Sequence, residues 1–426
     1  YYIAEKIYIS WSWKIVKNNT YVVPMGDITQ SPFYNMIIEE AKDSFLLDTT
    51  GKKYLDLRSG LWNVSLGYKE ELYQRISSQF NEYLQKSLTF LDIHAYNHPL
   101  YNDYSNALLQ FINEKDSAYT KVFFTNSGSE GTELATKVVR HLNNKDKKII
   151  TYDKSYHGTF FAGVSASGLD EKITEDYQPK LDGFLSVKTP QNRDDEDHVL
   201  NFIEENHQNI SAFLFEPIIG SGGVYIFNKE FIKKLHSTLK KFNILLIFDE
   251  VATGFYRTGN RFFFKELGVT PDILILSKSI NNGILPFGAV VISKEIEDAL
   301  KGKHIEHFST QNGNLLGVLS AKITLEYILE NETSIISNVR EIENIVTNTL
   351  KMKNIGYTGI GGMYSIPVND PIKTMEIVNG LKELGILVYH YMDNDEGNGI
   401  TLFPTLLIDT KAFSKAMKII AKRVLV

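Results

Sequence analysis

Ile244-Leu245-Leu246-Ile247-Phe248-Asp249-Glu250 sets five large apolar residues directly before two carboxylates. An unbroken apolar run of about 4–8 residues suits a strand buried on both faces, as in parallel sheets. Two further runs share the form. Ala212-Phe213-Leu214-Phe215 precedes Glu216, and Asp272-Ile273-Leu274-Ile275-Leu276 precedes Ser277-Lys278. Lys121-Val122-Phe123-Phe124 and Lys148-Ile149-Ile150-Thr151-Tyr152 read as additional strands. Amphipathic helical patterns lie between them, at Glu130 to Leu142, Val199 to Glu205 and Glu230 to Lys241. Asp194, Asp195, Glu196 and Asp197 open the second of these, where the positive end of a helix dipole favours acids. This alternation predicts an α/β domain whose mostly parallel sheet is covered by helices.

The pattern changes after about residue 320. Helical stretches at Ala321 to Leu329 and Ile335 to Leu350 precede short, antiparallel-looking strands, and a last helix begins near Lys411. This predicts a smaller α+β domain. Near the start, Phe45-Leu46-Leu47 and Lys53-Tyr54-Leu55 read as strands joined by a turn at Thr50-Gly51. The expected division is 1–64, packing with the small domain, 65–315 as the large domain, and 316–426 as the small one.

Asp plus Glu is 51 and Lys plus Arg is 45, a net charge of −6 that is unfavourable for general nucleic-acid binding. No apolar stretch approaches the ~20 residues of a membrane-spanning helix. Glu5, Lys6, Lys14 and Lys17 interrupt the opening apolar residues, so no export segment is expected. The chain has no cysteine, which excludes disulfides, thiolate zinc sites, iron–sulfur clusters and Cys nucleophiles. A reducing cytoplasm is the expected location. His94 and His98 have the i, i+4 spacing of one helix face, but two histidines without a third ligand do not make a metal site. Lys145, Lys147 and Lys148 read as a solvated turn.

The strands end in chemically different groups: Thr125-Asn126-Ser127-Gly128-Ser129, Glu216, Asp249-Glu250 and Ser277-Lys278. Ligands of parallel sheets bind outside the carboxyl ends of strands, so these endings suggest one composite site. Ser127-Gly128-Ser129 fits either a phosphate seat at a helix start or a Ser cap on a tight turn. No GxGxxG follows a strand and no GxxxxGK[ST] occurs, so the nucleotide fingerprints are missing. Asp249 and Lys278 both follow apolar strands, where a lone buried charge is costly. Two readings stay open. They form a buried salt bridge, or Lys278 is a Schiff-base lysine and Asp249 the partner of a pyridinium nitrogen. Burial helps such a lysine lose its proton.

Ile247-Phe248-Asp249-Glu250-Val251-Ala252-Thr253-Gly254-Phe255-Tyr256-Arg257-Thr258-Gly259 resembles the signature of the class III aminotransferases, which use pyridoxal 5′-phosphate (PLP). The resemblance extends to Ser155-Tyr156-His157-Gly158, Glu216-Pro217, Pro271-Asp272-Ile273, Pro286-Phe287-Gly288-Ala289, and Thr310 with Gly313-Asn314. It implies PLP-transferase fold type I, with Lys278 holding the cofactor as an internal aldimine and later moving the proton. Asp249 would bond the pyridine nitrogen, Tyr156 would stack on one ring face and Val251 on the other. Ser127, Gly128 and Ser129 would bind the phosphate, with His157 and Glu216 also near the cofactor. Thr310 would reach the phosphate of a neighbouring subunit, implying a homodimer.

Ser59-Gly60-Leu61-Trp62-Asn63-Val64 resembles the ω-amino acid–pyruvate branch, in which Trp62 would line the substrate pocket. The family's substrate-carboxylate arginine would fall near Tyr389-His390-Tyr391, where this chain has none. Gly131 stands where Ala is usual, a change expected to matter little. The function implied is transfer of an amino group from an amine or ω-amino acid to a keto acid by a ping-pong mechanism. Racemase, aminomutase or decarboxylase chemistry on the same fold is the alternative, with a non-catalytic PLP-binding protein behind it.

Overall fold

Seven strands build the central sheet of the computed structural model, which describes residues 22, 24, 36–143, 146–169, 174–393 and 397–425. The opening stretch containing Glu5, Lys6, Lys14 and Lys17 lies outside the described residues, as does Lys145. The strand order is Tyr119–Thr125, Gly288–Ser293, Ile273–Leu276, Leu245–Asp249, Ile210–Phe215, Lys148–Tyr152, Phe184–Val187. Gly288–Ser293 runs antiparallel to both of its neighbours, and the other six strands are parallel to one another.

The apolar runs are explained by burial on both faces. Phe213, Phe215, Leu246, Phe248, Leu274 and Leu276 point into one core. Alternate residues Ala212, Leu214, Ile247, Ile273 and Ile275 point into a second, against Leu134, Ala135, Val138 and Val139 of the helix Gly128–Leu142. The period-2 alternation of side chains thus feeds two helical layers from one sheet. Thr125, Phe215, Asp249 and Leu276 all end at the same sheet edge.

A separate core lies toward the C-terminus. Four antiparallel strands, Thr358–Ile360, Met363–Pro367, Gly397–Leu402 and Tyr389–Asp393, pack with the helices Glu332–Met352, Pro371–Glu383 and Thr410–Leu425. Leu55 and Leu57 enter this core, and Lys53–Asp56 pairs in parallel with Ile386–Leu387. The helix Leu315–Glu330 is apolar nearly all round. It packs instead against the helices Glu70–Gln85 and Pro99–Asn113 and the turn Lys278–Asn281.

The shared helix face expected for His94 and His98 is not formed. His94 lies in a turn, whereas His98 has extended backbone and caps the helix Pro99–Asn113, its Nδ1 accepting from the Leu100 N–H at 3.2 Å. The proline at position 99 disfavours helical backbone at the residue before it.

Candidate active site

Lys278 opens the single turn Lys278–Asn281 immediately after its strand. Its φ is +47°, a left-handed conformation costing a side-chain-bearing residue about 1–2 kcal/mol. Neighbouring bonds hold it there. Ser277 Oγ donates to the Phe287 carbonyl at 2.8 Å, and Ser279 Oγ shares a hydrogen bond with Ser65 Oγ. The Asn282 amide accepts from the Leu66 N–H at 2.9 Å and donates to the Gly67 carbonyl at 3.0 Å. A distant segment, 65–67, therefore clamps the lysine turn. Nζ lies 4.7 Å from the centre of the Trp62 ring and makes no hydrogen bond or ion pair among the described residues. Burial pulls the amine's pKa below its ordinary value, and Arg257 adds to this; the charges of Asp249 and Glu216 oppose it.

Asp249 is buried at the carboxyl end of its strand. His157 Nδ1 is 3.0 Å from Oδ2, and the Val251 N–H donates to Oδ1 at 3.1 Å. His157 Nε2 is buried without a hydrogen-bond partner. Asp249 is thus hydrogen-bonded to His157, and no ion pair joins it to Lys278 among the described residues. The buried Asp249–Lys278 salt bridge is therefore not formed among the described residues.

Glu216 receives the Tyr156 N–H at 3.0 Å and the Gly220 N–H at 3.1 Å. Burial, followed by the charge of Asp249, pushes its pKa up to about 7. A Cβ on Gly220 would stand 3.1 Å from the Trp62 ring, so Glu216, Gly220 and Trp62 form one tight wall. Phe403 stacks on Trp62 with ring centres 4.1 Å apart.

Ser127 is the cap of the helix Gly128–Leu142, its Oγ accepting from the Glu130 N–H at 3.1 Å. The first amides of that helix have no intrahelical partner. Gly128 presses on Val251, since a Cβ there would meet Val251 Cγ2 at 2.9 Å. Gly158, with φ +114°, lies against the backbone of Ser129, and the Thr159 N–H donates to Ser129 Oγ at 3.2 Å. Gly131 is less neutral than expected, because a Cβ there would come within 2.7 Å of Ile275 Cγ2.

Tyr156 is 40% exposed at the mouth of the site. Thr310 is exposed on a loop tied back to this region. Asn126 Nδ2 donates to Ser309 Oγ at 3.3 Å, and Asn312 Nδ2 donates to Glu130 Oε1 at 2.9 Å. The sequence reading gave no role to Arg257, which is fully buried. Its Nη1 donates to the Gly362 and Pro404 carbonyls at 3.0 and 2.6 Å, and its Nη2 to Ser65 Oγ at 3.0 Å. Burial lowers its pKa to about 9.

The class III aminotransferase family profile matches residues 27–424. The chain belongs to this family. An acetylornithine aminotransferase from Lactococcus lactis is 32% identical over 390 residues, which span 90% of this chain and 95% of that protein. A transaminase structure from the marine bacterium Virgibacillus has a TM-score of 0.85 at 26% identity, covering 95% of this chain and 96% of its own. An amine transaminase from an uncultivated Pseudomonas species, solved in its PLP-bound form, shares the fold at a TM-score of 0.85 and 24% identity, covering 96% and 98%.

This class III aminotransferase therefore uses PLP, and its residues fit that cofactor. An amine without an ion pair among the described residues feels the charge of a carboxylate held by a histidine. Beside them a helix start carries glycine where a side chain would collide. No helix among the described residues is long and apolar enough to cross a membrane.

Proposed function

We propose that this aminotransferase moves an amino group from an amine or ω-amino acid to a keto acid in two half-reactions, with Lys278 as the group that binds the cofactor and shuttles the proton. The observation carrying this reading is a Lys278 amine with no ion pair among the described residues, within the influence of an Asp249 that His157 already holds. When bound, PLP supplies an aldehyde for the substrate amine and a ring that accepts the electron pair left on the substrate carbon. Lys278 Nζ, its basicity lowered by burial, would take a proton from that carbon and deliver it to the former aldehyde carbon, so that the nitrogen stays behind when the keto product leaves. Asp249 favours a protonated ring nitrogen, and His157 keeps its carboxylate oriented. The free amides of Gly128 and Ser129 receive the phosphate. Tyr156 and Val251 cover the ring faces, and Glu216 and Trp62 line the pocket. Thr310 serves the site of a second subunit in a homodimer.

The test is borohydride reduction of the PLP-loaded protein followed by peptide mapping. The reduced label is expected on Lys278, and a label on another residue overturns the assignment. Lys278→Ala is expected to lose both label and turnover. Product amine should appear only when a keto acid is supplied as the second substrate.

A further inference from the structure

Arg58 directly precedes the turn that carries Trp62. Its guanidinium makes no hydrogen bond and no ion pair among the described residues, although Nε is buried. The nearest acid in sequence, Asp56, is committed elsewhere. It accepts from the backbone N–H groups of Arg58 and Gly60, each at 2.9 Å, and from the Tyr68 hydroxyl at 3.1 Å. The Arg58 guanidinium lies 5.2 Å from the centre of the Tyr389 ring. That ring stands edge-on to Trp62 with centres 6.3 Å apart, and Trp62 lies 4.7 Å from Lys278 Nζ. A cation that touches only an aromatic ring, with its hydrogen-bond donors unused, thus sits one ring beyond Trp62.

We propose that Arg58 is the carboxylate-binding residue of this pocket, so that the substrates are acids whose reacting nitrogen or carbonyl lies some distance along the chain from the carboxylate. The inference rests on the aminotransferase reading above and names its substrate class. A guanidinium offers five donors in a planar fork that matches a carboxylate. Left half-buried with those donors unused, it calls for an anion. It also brings a cation to Tyr389-His390, the stretch that lacks its own arginine. The local backbone is built to hold this arrangement. Ser59, Gly60, Leu61 and Trp62 all have positive φ, from +46° to +69°, and the Trp62 N–H donates to the Arg58 carbonyl at 2.7 Å. Consecutive left-handed residues are strained and persist only where their surroundings over-determine them. Here the turn sets Arg58 and Trp62 on one wall.

The experiment compares 5-aminopentanoate with pentylamine, which lacks only the carboxylate. The Arg58→Gln protein should show an acid-over-amine ratio of kcat/KM reduced by roughly 10–100-fold, the range for losing hydrogen bonds to a charged group. The change should fall on KM for the acid rather than on kcat, and Arg58→Lys should recover part of it. A titration calorimeter should show pentanoate binding weakened by a similar factor in Arg58→Gln. An unchanged selectivity ratio, or equal losses for acid and amine, overturns the proposal and leaves Arg58 a packing residue. A parent protein that converts neither amine counts against the proposed donor class. The pentanoate titration then decides Arg58 by itself: weaker binding by the variant supports the assignment, and equal affinity or no binding by either protein overturns it.

Discussion

Replacing Gly158 by Ala probes the close approach between the Ser155–Gly158 stretch and the helix start at Ser129. At this position φ is +114°, and an added Cβ would stand 2.8 Å from both Cα and Cβ of Ser129. Gly302 supplies an internal control, with φ +73° and nothing within 4 Å of its ideal Cβ. Both substitutions shorten the list of unfolded conformations alike, so that gain cancels between them. Gly302→Ala should cost about 1–2 kcal/mol, the conformational penalty alone. Gly158→Ala adds an overpacking cost of about 1–3 kcal/mol, because backbone rather than a flexible tip must move. Urea unfolding should therefore place Gly158→Ala about 1–3 kcal/mol below Gly302→Ala. The displaced helix start should also bind PLP roughly 10–100-fold more weakly in an absorbance titration, with Gly302→Ala titrating like the parent. Equal stabilities and equal cofactor affinities for the two variants would refute the reasoning.

The buried Glu250 has its pKa pushed by burial from 4.5 to about 7, opposed by the N–H groups of Phe263 and Phe264 and the Thr253 hydroxyl. The folded chain then binds that proton more tightly than the unfolded one, so unfolding free energy should fall as pH rises from about 4.5 to about 7. Denaturant midpoints across that range should show a flatter slope in Glu250→Gln, and an unchanged slope contradicts the assignment. Gly131→Ala gains about 1 kcal/mol of helix propensity but meets Ile275 at a cost of about 1–3 kcal/mol. A lower Tm is expected, and one at or above the parent's means that Ile275 yields freely. Arg257→Lys forfeits the fork to the Gly362 and Pro404 carbonyls and should cost about 2–4 kcal/mol by calorimetry. A loss within error would show that those acceptors find other donors.

The strands that build the site are legible because each is an unbroken apolar run closed by a polar group, and burial on both faces demands that pattern. Gly288–Ser293 is as apolar as its neighbours, but nothing in composition states that it runs the other way. Phe184–Val187 is a short, partly exposed edge strand and leaves little apolar signal. Asp249 and Lys278 stand out because charge follows hydrophobicity. The partner of Asp249 does not, since His157 lies 92 positions away and no periodicity links them. Arg257 was hidden for another reason: it binds carbonyls, which every residue possesses, at positions 362 and 404. His94 and His98 show spacing outrun by local chemistry, because Pro99 sets the helix boundary between them and the next turn.

Ser65 carries a double duty. Its hydroxyl meets Ser279, next to Lys278, and also receives Arg257, which grips the carbonyls at the edge of the C-terminal core. The pedestal of the amine is thereby geared to the smaller lobe by a short polar linkage. Any swing of that lobe will tug at position 278 through this linkage, without passing through the residues that line the cleft.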